Sequence, residues 1–484
     1  MLMTFDPNNY IKADSKINKL REGGEDPKKI LSKQLKDRGF TDKLSKNSIQ
    51  AAVFVEYAMT RIAVYQKEED LWFYNFKSNQ YNCLSDSRIR KIFFHIFCEA
   101  DKNLWNASIE KQYIDYFRRC VSEFTVSGYE PGFLQFTNGI LDFSEDDFYF
   151  ADSSPDYFCQ FRVPYAFDEN ANCPQFMKFL NDIFEKDQER IDLIQEIMGA
   201  CLLYDDCMQK LVIFLGKGSN GKSLLASVIK NTLGKNNVSA IALDKLSGDR
   251  FAKQNLDNKL LNISSETNPE KIYTTSDIKI LTGGDSVEIE KKFCDSYTTE
   301  IHSKFILLAN EMIQTADYSD GFYRRLMIIP FNKQYLDLAP GKKKEKGKAY
   351  KDIYLESKLM EELPGIFNFA LDGFIRLQAA NYNFTESKAC NKAIERFKNQ
   401  HNVVRTFIKE KFDITGNDSD KVRASKLFPE FEKFCRDNHY YRQYRQISKT
   451  KFIDMFKEVI EQDDLLVNNK KTNGIYYYTG IKIK

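Results

Sequence analysis

The chain has 484 residues, with 71 Lys plus Arg against 69 Asp plus Glu, a formal net charge of +2, 42% hydrophobic and 29% charged residues. That balance excludes a histone-like polycation but not nucleic-acid binding, which needs a local basic stripe rather than a basic total. The composition excludes a disordered chain, and the scarcity of Gly (22) and Pro (11) excludes collagen-like and low-complexity classes.

At roughly 150 residues per domain, the length predicts about three domains. No window approaches the ~18 uninterrupted apolar residues needed to cross a bilayer. The best candidate, residues 51–65, is interrupted by Glu56 and Arg61. The N-terminus lacks a basic stretch followed by an apolar one, so no secretory signal is read. The 10 cysteines form no CxxC pair and the 4 histidines lie far apart, so zinc-ligand spacing is absent. Reduced thiols in a cytoplasmic protein are expected.

Residues 1–45 read as a variable segment of short helices and loops. Residues 46–205 read as an α-rich collar or oligomerisation domain. Their aromatic clusters, Leu71-Trp72-Phe73-Tyr74 and Ile92-Phe93-Phe94, are expected to be core packing. Within this domain PGFLQFTNGILDF holds two apolar runs around Asn138-Gly139, a predicted strand pair. Two helical stretches follow, one from Cys173-Pro174 and one carrying Ile191, Leu193, Ile194, Ile197 and Met198.

Residues 206–340 alternate strand and helix. The runs at 211–215, 260–264, 305–309 and 326–331 are short and continuously apolar, as in strands buried on both faces. Helices between them predict a mainly parallel sheet. Residues 341–400 read as a linker and helical lid. The lysine-rich 340–351 is a solvated linker or, as the minority reading, a DNA contact. Residues 401–484 carry helical segments at 402–411, 424–438 and 448–460. An apolar run at 465–467, a turn at Asn473-Gly474 and a strand at 475–478 come next. Helices followed by a hairpin are the order of a winged helix.

The strongest motif is Gly216-Lys217-Gly218-Ser219-Asn220-Gly221-Lys222-Ser223, which fits G-x-x-x-x-G-K-[ST] at every fixed position. A buried strand precedes it and a helix-forming run follows it, the setting a phosphate-binding loop requires. Its glycines turn backbone N–H groups onto phosphates, and the helix dipole adds to the attraction. Lys222 is expected to neutralise the β- and γ-phosphates of ATP and Ser223 to ligate Mg²⁺.

Three later positions narrow the class. The strand at 260–264 runs into Glu266, placed to sit beside the Mg²⁺ and polarise the attacking water; the bland alternative is a surface carboxylate. The strand at 305–309 ends at Asn310, whose amide suits the γ-phosphate or the lytic water; the alternative is a turn former. Arg324 and Arg325 stand immediately before the strand at 326–331, either as a guanidinium donor to a γ-phosphate or as a salt-bridging pair. Between Glu266 and Asn310, Val287 and Ile289 alternate with acids as in a half-exposed strand. Lys291-Lys292-Phe293 then places two cations and a ring at a tip, suited to phosphates and a stacked base. An ordinary charged turn is the alternative.

This order of motifs resembles the superfamily III helicases of the poxvirus and phage-satellite type over roughly residues 70–484. The pieces that carry the likeness are NGILDF (138–143), VPYAFD…CPQF (163–176), GKGSNGKS, SSET, LTGGD, LLANE and YRRLMIIPF. The chain also looks similar to replication proteins of staphylococcal pathogenicity islands and cassette elements. The resemblance implies an AAA+ P-loop ATPase core with an α-helical N-terminal collar and a C-terminal winged helix. It also implies a ring of six subunits moving 3′ to 5′ on single-stranded DNA in a bacterial cytoplasm, with ATP between subunits. Lys222, Ser223, Glu266 and Asn310 would come from one subunit and the arginine finger from the next, with Arg325 matching best and Arg324 second. Lys291, Lys292 and Phe293 match the pore hairpin. The strand with the acid pair that marks a primase is not found, so no primase activity is expected here.

Residues 442–484 hold nine cations against five acids, a net of +4. Ser448 is a predicted helix N-cap that puts Lys449 and Lys451 at the entry end of a recognition helix, with Lys470 and Lys471 in the wing. Duplex or origin DNA is the expected partner; a protein-interaction winged helix is the competing reading. An origin-recognising initiator with ATP as an assembly switch, a non-DNA P-loop enzyme and a scaffold with a dead nucleotide site are the rival functions. Primase and host replication proteins are expected partners, and a membrane is not.

Overall fold

The computed structural model describes residues 5–14, 19, 23–24, 33–38, 51–67, 70–101, 105, 107–121, 133–142, 148–205, 208–249, 251–265, 272–273, 275–290, 296–315, 320–337, 348–401, 403–438 and 447–484. The chain forms two compact units, Met1–Phe167 and Asp168–Lys484. Among the described residues no helix is long and apolar enough to cross a membrane.

The first unit holds a short 3-10 turn at Pro7–Tyr10 and then helix α1 (Ala51–Arg61). Strands β1 (Val64–Lys67), β2 (Asp70–Asn75) and β3 (Gln80–Cys83) follow, then helices α2 (Asp86–Asp101) and α3 (Ala107–Cys120). The three strands pair antiparallel. Period two along β2 divides its side chains between two cores. Leu71 and Phe73 join Phe54, Phe93, Phe97 and Phe117, while Trp72 and Tyr74 join Tyr81 and Phe158. The fully buried Arg38 guanidinium is held by the Ile96 carbonyl and by Glu99, which Arg61 also meets at 3.1 Å. Two cations on one carboxylate and a carbonyl is how a buried charge is tolerated.

Four short strands complete this unit: β4 (Phe133–Gln135), β5 (Ile140–Asp142), β6 (Tyr149–Ala151) and β7 (Phe161–Arg162). They form a sheet in the order β6-β5-β4-β7. β4 and β5 are the antiparallel pair expected around Asn138-Gly139.

The second unit opens with α4 (Pro174–Ile183) and α5 (Gln188–Ala200). Both fall within the collar domain expected over residues 46–205, yet they lie in the unit that begins at Asp168. Five strands build its sheet: β8 (Leu211–Leu215), β9 (Val238–Ser239), β10 (Leu261–Ser265), β14 (Lys304–Ala309) and β16 (Leu326–Pro330). The order is β16-β8-β14-β10-β9, parallel throughout. Both faces are covered, so the strands read as unbroken apolar runs rather than alternating ones.

Helix α6 (Lys222–Thr232) follows β8 and α7 (Leu243–Gly248) follows β9. Between β10 and β16 lie β11 (Ile272–Tyr273), α8 (Thr275–Leu281), β12 (Ser286–Ile289), β13 (Tyr297–Glu300), β15 (Gln314–Thr315) and the short α9 (Asp320–Tyr323). β12 and β13 form an antiparallel ribbon in which Val287 and Ile289 are buried and Ser286 and Glu288 exposed. Lys291, Lys292 and Phe293 lie in the connection, outside the described residues.

Helices α10 (Leu355–Glu361), α11 (Leu363–Ala379) and α12 (Lys388–His401) follow the sheet. α5 packs along α11 because both present glycine at the crossing. A Cβ on Gly373 would collide with the backbone of Gln195, and one on Gly199 would collide with the backbone of Phe374. The buried Glu196 carboxylate adds a polar tie, accepting from Arg376 Nε at 2.9 Å and Thr385 N at 2.7 Å. These contacts tie α5 into the second unit. Gly373→Ala is therefore expected to cost about 1–3 kcal/mol, since backbone overlap has no rotamer to relieve it. A lower calorimetric melting temperature for the second unit checks this.

The C-terminal part has its own apolar core of Phe407, Phe431, Phe434, Phe452, Phe456 and Tyr478 among others. It is built from α13 (Val403–Lys411), β17 (Phe412–Ile414), β18 (Lys421–Arg423), α14 (Ala424–Asp437), α15 (Lys449–Gln462), β19 (Asn468–Thr472), β20 (Ile475–Thr479) and β21 (Ile481–Ile483). β18, β20 and β19 make an antiparallel sheet with β20 in the middle.

Candidate nucleotide site

The loop 216–221 leaves the carboxyl end of β8, where open α/β sheets place their ligands. Gly218 (φ 32°), Ser219 (φ 53°) and Gly221 (φ 88°) hold left-handed backbone, which turns N–H groups into a concavity for anions. A Cβ on Gly216 would press on the Asn220 side chain and lie 2.5 Å from the Phe331 carbonyl, so only glycine admits this path. Asn220 is buried and donates to that carbonyl at 3.3 Å.

Lys222 is the first residue of α6 and is 6% exposed. Its ammonium donates to the Gly216 carbonyl, to Asn220 Oδ1 at 3.1 Å and to Asn310 Oδ1 at 3.4 Å. Asn310 follows β14, the neighbour of β8, and also accepts from Gly218 N at 3.4 Å. Parallel pairing thus brings together Gly216, Gly218, Asn220, Lys222 and Asn310 from positions up to 94 apart in sequence. Ser219, Ser223 and Ser265 line the same cleft of about 840 Å³. Ser265 ends β10, and Glu266 lies outside the described residues.

The exposed Ser223 in the first turn of α6 offers a hydroxyl oxygen to the cleft. Hard oxygen is the donor that Mg²⁺ takes, and Mg²⁺ is bound by few protein ligands beside phosphate. Among the described residues Ser223 supplies one such oxygen at the cleft.

A second layer comes from residues the sequence analysis does not single out. Tyr335 N donates to the Ser219 carbonyl at 2.7 Å and Gln334 Nε2 to the Lys217 carbonyl at 3.0 Å, so the segment after β16 braces the loop. Asp182 at the end of α4 takes Lys333 and the Tyr335 hydroxyl, the latter at 2.6 Å. Burial pushes the Asp182 carboxyl up, but these two donors and the lysine charge outweigh it and hold it below the usual carboxylate range. Burial first, and the Asp182 hydrogen bond second, push the Tyr335 phenol well up. No motif marks these residues; adjacency to the loop exists only after folding.

Arg324 and Arg325 are not at this site. Leu326 pairs with Leu211 and Pro330 with Leu215, so the arginines stand at the opposite end of the sheet from Gly216. At ~3.3 Å per residue the five-residue strand β8 separates the two by roughly 16 Å. They line a different cleft of about 850 Å³ with Lys210, Gln209, Met327 and Glu386. Arg324 is exposed; Arg325 is half-buried and donates to the Gly321 carbonyl at 3.3 Å. Lys210, also unmarked by any motif, donates to the Arg324 carbonyl at 2.5 Å. Burial, and then the Arg324 charge, push its amine below the ordinary lysine range.

Among the C-terminal candidates, Lys449 and Lys451 lie exposed in the first turn of α15, where the Ser448 hydroxyl accepts from Lys451 N at 3.3 Å. Lys470 and Lys471 are exposed on β19.

Residues 59–185 match the family described as "D5 N terminal like". Residues 214–325, which include the glycine loop, match a "Family of unknown function (DUF5906)". Over 367 residues the chain is 25% identical to "Putative helicase 184R" of Invertebrate iridescent virus 6, covering 68% of this chain and 37% of that protein. Over 336 residues it is 23% identical to "Putative helicase L207/L206" of Acanthamoeba polyphaga mimivirus, covering 64% and 35%. The chain thus spans little more than a third of these curated relatives. Among solved structures, the C-terminal region of NrS-1 is 16% identical at a TM-score of 0.48, covering 87% of this chain and 96% of that one.

Proposed function

We propose that the chain is an ATP-driven DNA helicase of a replication machinery, working as a ring of identical subunits. The observation that carries it is the cluster of Lys222, Asn220 and Asn310 at the glycine loop, set at the carboxyl ends of β8 and β14. The names of the relatives that match along the chain support the helicase reading, and the "D5 N terminal like" match supports a role in replication.

In this reading the loop amides and Lys222 hold the β- and γ-phosphates. Asn310 positions the γ-phosphate or the attacking water, and Glu266 takes a proton from that water. Ser223 and Glu266 would hold Mg²⁺, which neutralises developing charge on the phosphates. The roughly 16 Å between the arginines and the subunit's own loop argues for donation across a subunit junction. Arg324 is the better placed finger because it is exposed, whereas Arg325 is spent partly on Gly321. The finer expectations are six subunits, 3′ to 5′ movement on single-stranded DNA through a pore bearing Lys291, Lys292 and Phe293, and duplex or origin contact through Lys449, Lys451, Lys470 and Lys471. The element copied would be a phage, plasmid or genomic island in a bacterial cytoplasm.

The test is ATP hydrolysis with and without single-stranded DNA, beside unwinding of a fork that lacks any origin sequence. DNA-stimulated hydrolysis and unwinding are expected. Lys291→Ala/Lys292→Ala is expected to lose unwinding. Hydrolysis indifferent to DNA, with no unwinding, overturns the reading.

A further inference from the structure

The ribbon of β19 and β20 projects beyond its sheet. β18 pairs only with Tyr477–Thr479, whereas β19 continues alongside β20 to Ile475. Asn473 (φ 49°) and Gly474 (φ 78°) close it as a two-residue turn. All of β19 is exposed, and Ile475 and Tyr476 are 39% and 53% exposed.

Neighbouring strand residues face opposite sides. The cross-strand pairs Lys470–Tyr477 and Lys471–Tyr476 therefore lie on opposite faces of the ribbon. On the first face the Lys421 ammonium is 5.2 Å and the Arg423 guanidinium 6.0 Å from the Tyr477 ring centre. Asp418 accepts there from Lys470 at 2.5 Å and from the Thr479 hydroxyl at 3.0 Å. That ion pair is exposed, so a phosphate can replace the carboxylate at small loss. On the second face the Lys471 ammonium lies 5.2 Å from the Tyr476 ring centre.

Tyr477 with its cations lies where the three-stranded part ends, and Tyr476 with Lys471 in the first pair beyond it on the opposite face; neither ring serves the core, whose contact on β20 is Tyr478. Lysine and arginine bind phosphates without reading sequence, and a ring that reaches the surface, as the exposed Tyr476 and the half-buried Tyr477 do, stacks an unpaired base. A single intact duplex lies to one side of such a ribbon, and its bases are already stacked. Two strands diverging from a duplex offer phosphates to both faces and unpaired bases to both rings.

We propose that this ribbon is a junction-binding element, seated where a DNA duplex opens into two single strands. One strand runs along Lys421, Arg423, Lys470 and Tyr477; the other runs along Lys471 and Tyr476. This rests on the reading that the chain acts on DNA and refines its duplex contact at Lys470 and Lys471 into contact with the two arms of an opening duplex.

The experiment measures binding of the full chain, by fluorescence anisotropy at fixed salt, to a forked duplex, to the same duplex with one arm, and to the blunt duplex. The fork is expected to bind tightest. Tyr476→Ala/Tyr477→Ala is expected to lose about tenfold on the fork and much less on the blunt duplex, while Tyr476→Phe/Tyr477→Phe keeps the preference. Lys471→Ala and Lys421→Ala/Arg423→Ala are each expected to cancel the contribution of a different arm. Bromodeoxyuridine placed at the junction should crosslink to the peptide holding Tyr476 and Tyr477. Equal losses on fork and blunt duplex, sensitivity to one face only, or crosslinks confined to other peptides overturn the proposal. A wild-type chain that unwinds forks while the alanine variant binds them normally refutes the ribbon assignment alone. A wild-type chain without DNA affinity refutes the helicase reading itself.

Discussion

Lys222→Ala is expected to lower ATP turnover about 10³-fold, roughly 4 kcal/mol of barrier at 1.36 kcal/mol per decade. The ammonium is buried and already aimed at the loop by the Gly216 carbonyl, Asn220 and Asn310. A phosphate entering the loop therefore meets an ordered charge rather than one that must be fixed on arrival, which is where preorganised electrostatics gain their strength. Two readouts separate chemistry from folding. The melting temperature without nucleotide should move by only a few degrees, because the substitution touches one end of α6. The rise in melting temperature on adding Mg-ATP should disappear, since a ligand stabilises only the state it binds. A variant that keeps turnover within tenfold of wild type removes Lys222 from the role assigned to it.

Arg324→Ala is expected to cost about 10³–10⁵ in turnover while nucleotide affinity stays near wild type. The reason is geometric. The arginines precede Leu326, which pairs with Leu211 at the far end of β8 from the glycine loop. No rotamer spans that distance, so the guanidinium works on a neighbour's nucleotide or on none. Mixing decides between these. Arg324→Ala subunits keep an intact pocket, and Lys222→Ala subunits keep an intact arginine. Each is inactive alone, and a mixture should regain activity at the junctions where the two complement. A mixture as inactive as its parts contradicts sharing across a junction. Arg325→Ala is expected to fall less in turnover, because that guanidinium is partly engaged by Gly321 within its own subunit.

Much of the sheet was legible before folding. LVIFL at 211–215 and LMIIPF at 326–331 are continuous apolar runs because strands covered on both faces admit no polar alternation, and the structure has strands at Leu211–Leu215 and Leu326–Pro330. Trp72-Phe73-Tyr74 was legible only as a cluster. That its members serve two separate cores follows from the period of β2 and from what packs on each face, which the local sequence does not carry. Glu266 and the tip at Lys291–Phe293 are legible as chemistry alone; they lie outside the described residues.

The glycine loop is a contiguous signal, since its glycines, Lys222 and Ser223 owe their placement to backbone within eight residues, and the sequence by itself determined that loop and its flanking strand and helix. Asp182, Lys210, Lys333 and Tyr335 carry no local signature, because each matters through a neighbour far away along the chain. Tertiary structure alone decided that they brace or flank the sites. It also decided that Asn310 meets Lys222 while Arg324 does not, because strand order and parallel register choose which ends of distant segments become neighbours.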